Sequence, residues 1–342
     1  MLGSLPRKAG MLPLTSLCLC LAAGPSSHDD EWLHNLVEEA DNLEPLIETQ
    51  AVQELLRAVP LLEAIEPTMI YHRPGGGYLS EAFTRKEYAA LSEKRREGLS
   101  EMKVDSQRFY STFYGSPLAS MRAFDLAAMN GFSSYDGLRI LDFGFGSIGQ
   151  LELLASCGAV AAGTEVMPLL RAMYSEASGP RSEGFRDREG SIVMVFDRWP
   201  SGETKALAGG PFDLFISKNT LKRGYVNPPI EVPEKDRMDL GVSAAQFLRE
   251  IFDSLNPGGL ALIYNLGGKP AKQGEAYRPA TDIHCPWSKE DFEETGFEVV
   301  ALDKDDSEMA REFGHTLGWD KGASGMDLDA DLYALFTLVR RP

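Results

Sequence analysis

The 342-residue chain has few cysteines and few basic residues for its length. Of its 4 cysteines, Cys18 and Cys20 lie near the N-terminus, so that only Cys157 and Cys285 remain in the body of the chain. This excludes a disulfide framework and a four-cysteine metal site. Lysine and arginine number 34 against 51 aspartates and glutamates, which gives a net charge of −17. Nucleic acids and anionic membranes require basic surfaces, so we expect neither as a partner.

The chain also lacks an apolar run at its N-terminus that is long enough to cross a bilayer. The run from Met11 to Ala23 is shorter than the about 20 residues that a transmembrane helix needs. Arg7 and Lys8 precede it and small residues follow, a pattern that predicts a secretory signal peptide over residues 1–24. Such a peptide would direct the protein to the secretory pathway or to export, and its cleavage would leave no stable membrane span. The alternatives are a mis-assigned start codon, which would make the protein cytoplasmic, and a disordered N-terminal tail.

Residues 25–135 are predicted to form a helical N-terminal region. From His28 to Pro67, apolar residues recur at spacings of three, four and seven, which is typical of amphipathic helices. These helices should break near Pro45 and Pro60. A further helix with mixed charges is predicted over residues 83–99.

A glycine turn organises the second half of the chain. The apolar strand from Leu138 to Phe143 leads into Gly144, Gly146 and Gly149, and a helical segment then leads to a second strand ending at Glu165. Glycines permit such a tight turn and bring the first helical amides close to a ligand. Glu165 lies about 20 residues on, where a carboxylate can accept hydrogen bonds from two ribose hydroxyls. The unit therefore predicts a nucleoside-binding site.

The sequence Gly-Phe-Gly-Ser-Ile-Gly also satisfies the dinucleotide fingerprint, so a nicotinamide cofactor is an alternative. Asp142 lies two residues before the first glycine, where its carboxylate would repel a pyrophosphate. The same carboxylate can hold the cationic amino-acid end of S-adenosylmethionine.

Together, LDFGFGSIG and GTE resemble the first two motifs of class I S-adenosylmethionine-dependent methyltransferases. PFDLFIS resembles the fourth strand of that family, and LNPGGLALIYN resembles its turn and fifth strand. The resemblance covers about residues 136–342 and identifies no subfamily. It implies an α/β, Rossmann-like fold with a seven-stranded, mainly parallel sheet and helices on both faces. This methyltransferase-like domain would follow the signal peptide (residues 1–24) and the helical region (residues 25–135).

The resemblance implies S-adenosylmethionine as the cofactor. Asp142, Gly144 and Gly146 would contact its methionine and ribose side, and Glu165 its ribose. Asp197, after the third strand, would accept a hydrogen bond from the adenine amino group. Alternatively, its side chain only caps the loop that it begins. The same motifs add Phe145, Gly149 and Ser217 to the predicted cofactor-binding residues.

The acceptor is predicted to be a small molecule. Family members that methylate planar amino groups carry Asn-Pro-Pro-aromatic after the fourth strand, where this chain has Ser217 to Thr220. Long segments over residues 221–241 and 267–286 are predicted to be substrate lids. His284, Tyr225 and Lys218 are the candidate catalytic residues. In the family that the chain resembles, helices ahead of the first strand often cover the pocket, so Tyr110, Phe113, Tyr114 and Arg122 either line it or, more commonly, pack in the core.

Two other functions stay open. The chain could be an exported, non-catalytic binding module on a methyltransferase-like fold, or an NAD(P)-dependent oxidoreductase. The segment Asp282 to Cys285 contains possible metal ligands, but no second ligand cluster accompanies it, so no metal is predicted.

Overall fold

The computed structural model describes residues 28–77, 79–112, 115–175, 179–181, 185–271, 275–322 and 325–342. The predicted signal peptide, together with Phe113 and Tyr114, which the sequence places near a pocket or in the core, lies outside these ranges. Within them, every helix is too short or too polar to cross a membrane.

The N-terminal region begins with the predicted amphipathic helices. Helix α1 (His28–Leu43) and helix α2 (Gln50–Arg57) are each followed by a 3₁₀ turn, Glu44–Leu46 and Val59–Leu61. Each turn contains a proline near its start, which accounts for the two predicted breaks. Helix α5 (Ser106–Ser111) and helix α6 (Met121–Met129) complete the helices ahead of the main sheet.

This region also contains a small antiparallel sheet that the sequence did not indicate. Its strands are β1 (Thr68–His72), β2 (Ala82–Thr84) and β3 (Ser100–Val104), in the order β2-β1-β3. Only Ile70, Ala82 and Val104 are buried on them, so the apolar alternation that marks a strand is weak. The helix predicted over residues 83–99 is two short helices, α3 (Arg85–Ala90) and α4 (Glu93–Arg96).

The main sheet confirms the predicted α/β architecture. Its strands are β4 (Arg139–Phe143), β5 (Val160–Thr164), β6 (Gly179–Arg181), β7 (Gly190–Val195), β8 (Phe212–Lys218), β9 (Leu255–Gly267), β10 (Glu298–Asp305) and β11 (Tyr333–Arg340). The order across the sheet is β10-β11-β9-β8-β4-β5-β7-β6. Strands β4, β5, β7, β8 and β9 are parallel, and β11 runs antiparallel to both β9 and β10. The short antiparallel strand β6 adds an eighth strand at the edge.

Helices cover both faces of this sheet, as predicted. They are α7 (Gly149–Ser156), α8 (Pro168–Tyr174), α9 (Gly202–Ala208), α10 (Arg223–Val226), α11 (Ala244–Ser254), α12 (Lys289–Thr295), α13 (Ser307–Thr316) and α14 (Leu328–Asp331). Ile140 and Leu141, neighbours on β4, belong to the cores on opposite faces. The core around Ile140 includes Leu36 of α1 and Phe124 of α6, so the N-terminal region shares one core with the sheet.

A buried ion pair also joins the N-terminal region to the sheet. The Arg122 guanidinium on α6 donates from Nη2 to Asp306 Oδ1 (2.7 Å) and from Nε to Asp306 Oδ2 (3.0 Å), just after β10. The same carboxylate accepts from the Tyr264 hydroxyl of β9 at 3.1 Å. Arg122 also reaches Glu48 Oε1 at 3.2 Å. Arg122, a candidate for packing or for the pocket, is therefore part of the packed interior, as is Tyr110, which is 3% exposed.

Replacing Arg122 by alanine should lower the free energy of unfolding by about 3–5 kcal/mol, because the Asp306 charge would stay buried without its partner. Lys289→Ala is the matched control, since Lys289 and Glu293 form an exposed pair at 3.4 Å. That control should cost less than about 1 kcal/mol. Urea unfolding followed by tryptophan fluorescence measures both, and equal losses would contradict the structural role of Arg122.

Candidate functional site

The glycine turn lies where the strand order of the main sheet reverses, between β4 and β8. After β4 the chain passes through Gly144 and Gly146, whose φ angles are +73° and +65°. The Gly144 N–H donates to the Thr164 carbonyl at 2.9 Å and so fastens the turn to the end of β5. Open parallel sheets bind ligands at the carboxyl ends of the strands beside such a reversal.

Phe145 and Gly149 serve packing within this turn. The Phe145 side chain is 4% exposed and contacts the rings of Tyr174 and Phe196. A Cβ on Gly149 would lie 2.8 Å from both Pro117 Cβ and Tyr110 O. Gly149 therefore permits the N-terminal region to approach the start of α7.

Asp142 is a buried carboxyl group at the end of β4. It is 5% exposed and accepts a hydrogen bond from Gln150 Nε2 at 3.1 Å. The same nitrogen donates to the Phe145 carbonyl (2.6 Å), and Gln150 Oε1 accepts from the Ser147 hydroxyl (2.9 Å). Burial raises the pKa of Asp142 to about 7, although the Gln150 hydrogen bond and the Lys218 ammonium act in the opposite direction.

Glu165 is a second buried carboxyl group, directly after β5. It is 9% exposed, and its Oε1 accepts from the amides of Val166 (2.7 Å) and Met167 (3.2 Å). The Gly146 amide also donates to this carboxylate, and burial nevertheless raises the pKa of Glu165. Glu165 thus ties the glycine turn to the end of β5, and both carboxyl groups flank that turn.

Asp197 is placed differently from these two. It is exposed beyond the end of β7, and its Oδ1 accepts from the Arg198 amide at 2.7 Å. The side chain caps its own loop, which is the alternative that the sequence leaves open.

Three buried side-chain oxygens at this edge of the sheet have no hydrogen-bond partner among the described residues: Thr164 Oγ1, Ser217 Oγ and Asn265 Oδ1. They lie at or near the carboxyl ends of β5, β8 and β9. Buried polar atoms are usually hydrogen-bonded, so unpaired ones mark a place where a ligand can complete the pairing. Ser217, a predicted cofactor-binding residue, is fully buried.

Two lysines lie close to the end of β8. Burial lowers the pKa of Lys218, the last residue of the strand, to about 8, against the effect of Asp142. Lys222 is 5% exposed, and its Nζ donates to the Leu266 carbonyl at 2.6 Å and lies 5.6 Å from the centre of the Tyr225 ring. Burial and the Lys218 charge lower the pKa of Lys222 to about 7.

The two predicted lids join each other. The Arg223 amide donates to the His284 carbonyl at 2.7 Å, and the Gly224 amide to the Asp282 carbonyl at 3.2 Å. Asn227 Nδ2 adds a bond to the Pro286 carbonyl at 3.0 Å. We call residues 221–227 and 282–286 together the cap.

Asp282 organises the side chains of the cap. Its Oδ1 lies 2.8 Å from His284 Nδ1, and its Oδ2 accepts from Arg223 Nε (2.9 Å) and the Tyr277 hydroxyl (2.7 Å). These hydrogen bonds hold the pKa of Asp282 well below its usual range, and the bond to Asp282 raises the pKa of His284. A carboxylate at Nδ1 keeps a proton on that nitrogen, so that Nε2 of the neutral ring can accept one.

Cys285 lies beside this cluster. Cys285 and Cys157 are both buried, and neither forms a disulfide bond. No group of three histidine, cysteine, aspartate or glutamate side chains in the described part of the chain could hold a metal ion.

Several residues of the site carry little or no signal in the sequence. Asn265 could have been found, because a polar residue closes the apolar run of β9. Gln150 and Lys222 could not, because each depends on contacts that only the folded chain brings together.

No family model and no curated protein matches the chain. Solved structures that resemble it include the [4+2]-cyclase SpnF, at 20% identity over 65% of this chain and 80% of that one, with a TM-score of 0.40. An S-adenosylmethionine-dependent methyltransferase from Mesorhizobium loti is 16% identical over 65% of this chain and 98% of its own, with a TM-score of 0.37. Phosphoethanolamine N-methyltransferase 2 from Haemonchus contortus is 14% identical over 86% and 76%, with a TM-score of 0.35.

These TM-scores lie below 0.5, and the fold is assigned from the strand order of the chain itself. Apart from the added strand β6, the sheet has seven strands and is mainly parallel, with helices on both faces, which is the Rossmann-like fold that the resemblance implies. The fold predicted from the motifs is confirmed.

Gly144→Ala should destabilise the protein more than Gly137→Ala by more than about 1 kcal/mol. Both glycines have a φ of +73°, so each variant bears a similar backbone strain. A Cβ on Gly144 would meet Thr220 Oγ1 and would lie 2.8 Å from Thr220 Cγ2, whereas a Cβ on Gly137 has no atom within 4 Å. Urea midpoints measure the difference, and equal losses would show that Thr220 does not pack against the turn.

Proposed function

We propose that the chain is an S-adenosylmethionine-dependent methyltransferase that acts on a small-molecule acceptor. One observation carries the proposal: two buried carboxyl groups, Asp142 and Glu165, flank the turn through Gly144 and Gly146 at the reversal of strand order. A pyrophosphate in that position would face negative charge. A cofactor with a cationic end and a ribose suits the same groups.

The roles of the residues follow from this arrangement. Asp142 would hold the ammonium group of the cofactor's methionine end, since Gln150 occupies only part of its hydrogen-bonding capacity. Glu165 would accept hydrogen bonds from the ribose hydroxyls, while its Oε1 keeps the hydrogen bonds from the amides of Val166 and Met167. Gly144 and Gly146 would let the cofactor approach the main chain. Val166 is 44% exposed directly after Glu165 and would offer an apolar surface to the adenine.

The bound cofactor would supply an activated methyl group. The contribution of the protein would then be to position the acceptor in line with that group and to exclude water. The cap lies beyond the ends of β8 and β9 and is suited to this exclusion. For an acceptor that must lose a proton, His284 is the candidate base, because Asp282 holds its Nδ1 and leaves Nε2 to accept the proton.

Calorimetric titration of the full chain with S-adenosylhomocysteine should show micromolar binding. Glu165→Ala should weaken it by more than about tenfold, the effect of losing hydrogen bonds to a charged group. Glu294→Ala is the matched control, because it removes the same charge from an exposed position on α12. Glu165→Gln keeps the shape of the side chain and should give an intermediate loss.

A folded protein that fails to bind S-adenosylhomocysteine at millimolar concentration would contradict the proposal and favour the non-catalytic binding module. Quenching of protein fluorescence by NADH, without binding of S-adenosylhomocysteine, would instead favour the oxidoreductase.

A further inference from the structure

Two lysines, Lys218 and Lys222, lie at or just after the end of β8, on the side of β4 away from Glu165. Lys218 ends the strand, and Lys222 follows the turn that Asn219 makes at a φ of +63°. Asn219 Oδ1 accepts from the Leu266 amide (2.6 Å), and Lys222 Nζ donates to the Leu266 carbonyl (2.6 Å). The turn therefore holds Lys222 over the end of β9, although the protein as a whole is strongly acidic.

These lysines have little negative charge nearby to offset them. The described contacts of Lys222 Nζ are the Leu266 carbonyl and the face of the Tyr225 ring. The Lys218 charge lowers the pKa of Lys222, so the two ammonium groups repel each other. Asp142 attracts Lys218 but is the group proposed to hold the cofactor. A buried ammonium group without a counter-ion is costly, and an anion bound between the two would remove that cost.

Unpaired polar atoms at the same strand ends point to a ligand independently of the lysines. Ser217, the residue before Lys218 on β8, is fully buried, and its Oγ can donate one hydrogen bond. Asn265 Nδ2 donates to the carbonyls of Leu221 (2.8 Å) and Ile283 (3.1 Å), which fixes the amide and leaves Oδ1 unpaired among the described residues. The site therefore offers donors for an anion and one acceptor beside them.

We propose that the acceptor molecule carries a carboxylate or phosphate group that Lys222, Lys218 and the Ser217 hydroxyl bind, and an amino or hydroxyl group that donates to Asn265 Oδ1. This inference rests on the proposed function, since it takes the ends of β8 and β9 as the acceptor side of the site. It narrows the acceptor from small molecules in general to anionic small molecules.

Inorganic phosphate and succinate, titrated separately into the full chain by calorimetry at pH 8 and constant ionic strength, test the inference. At least one should bind with a millimolar dissociation constant, and the comparison distinguishes phosphate from carboxylate. Lys222→Met should weaken that binding by more than about tenfold. Lys289→Met, which removes an exposed lysine of α12, should leave it unchanged.

Binding should also take up protons from the buffer. Lys222 is largely neutral at pH 8, and a bound anion favours its charged form. Lys218 would contribute to the same uptake, since its pKa is about 8. Titrations in two buffers of different ionisation enthalpy measure this uptake on the unmodified chain, so the test does not depend on a variant that folds.

Absence of binding by both anions, equal affinity in Lys222→Met, or binding without proton uptake would each overturn the inference. The proposed function is tested separately by S-adenosylhomocysteine. Binding of the cofactor product without binding of either anion would refute the anionic acceptor alone. Anion binding without S-adenosylhomocysteine binding would refute the proposed function.

Discussion

Burial of ionisable side chains at one edge of a parallel sheet is the constraint on which the rest of the site depends. Asp142, Glu165, Lys218 and Lys222 are held there because the parallel strands β4, β5 and β8 end at the same edge. Removing such groups from water is costly, and the structure offsets part of the cost locally. Gln150 and main-chain amides bind the carboxylates, and the Leu266 carbonyl binds Lys222. The buried oxygens at this edge that lack a hydrogen-bond partner among the described residues are available to bind a ligand.

The N-terminal region contacts the glycine turn and the start of α7 directly, and so stabilises that edge of the sheet. The Thr112 hydroxyl donates to the Gly146 carbonyl at 3.1 Å, and Pro117 packs against Gly149 at the start of α7. Arg122 binds Asp306 after β10, on the far side of the same core. The glycine turn is thus held by β5, through the Thr164 carbonyl and Glu165, and by the N-terminal region from the other direction.

The sequence predicted those parts of the fold that local patterns determine. Apolar runs and the glycine spacing located β4, β5 and the glycine turn after β4. Asp142 was located by its place two residues before the first glycine, and Glu165 by its place at the end of the second strand. The small sheet of β1, β2 and β3 was not predictable, because each of its strands buries a single side chain. The convergence of Arg223, Asp282 and His284 was equally hidden, since about 60 residues separate its two halves and only the shared strand edge brings them together.

We propose that Asp142 holds the amino-acid end of S-adenosylmethionine. The most direct measurement compares the affinities of S-adenosylhomocysteine and methylthioadenosine, which lacks that end, at pH 8 and pH 6. The pKa of Asp142 is about 7, so protonation at pH 6 should weaken S-adenosylhomocysteine about tenfold relative to methylthioadenosine. Asp142→Asn should abolish this difference. A parallel change in both affinities, with the variant behaving like the original chain, would contradict the account.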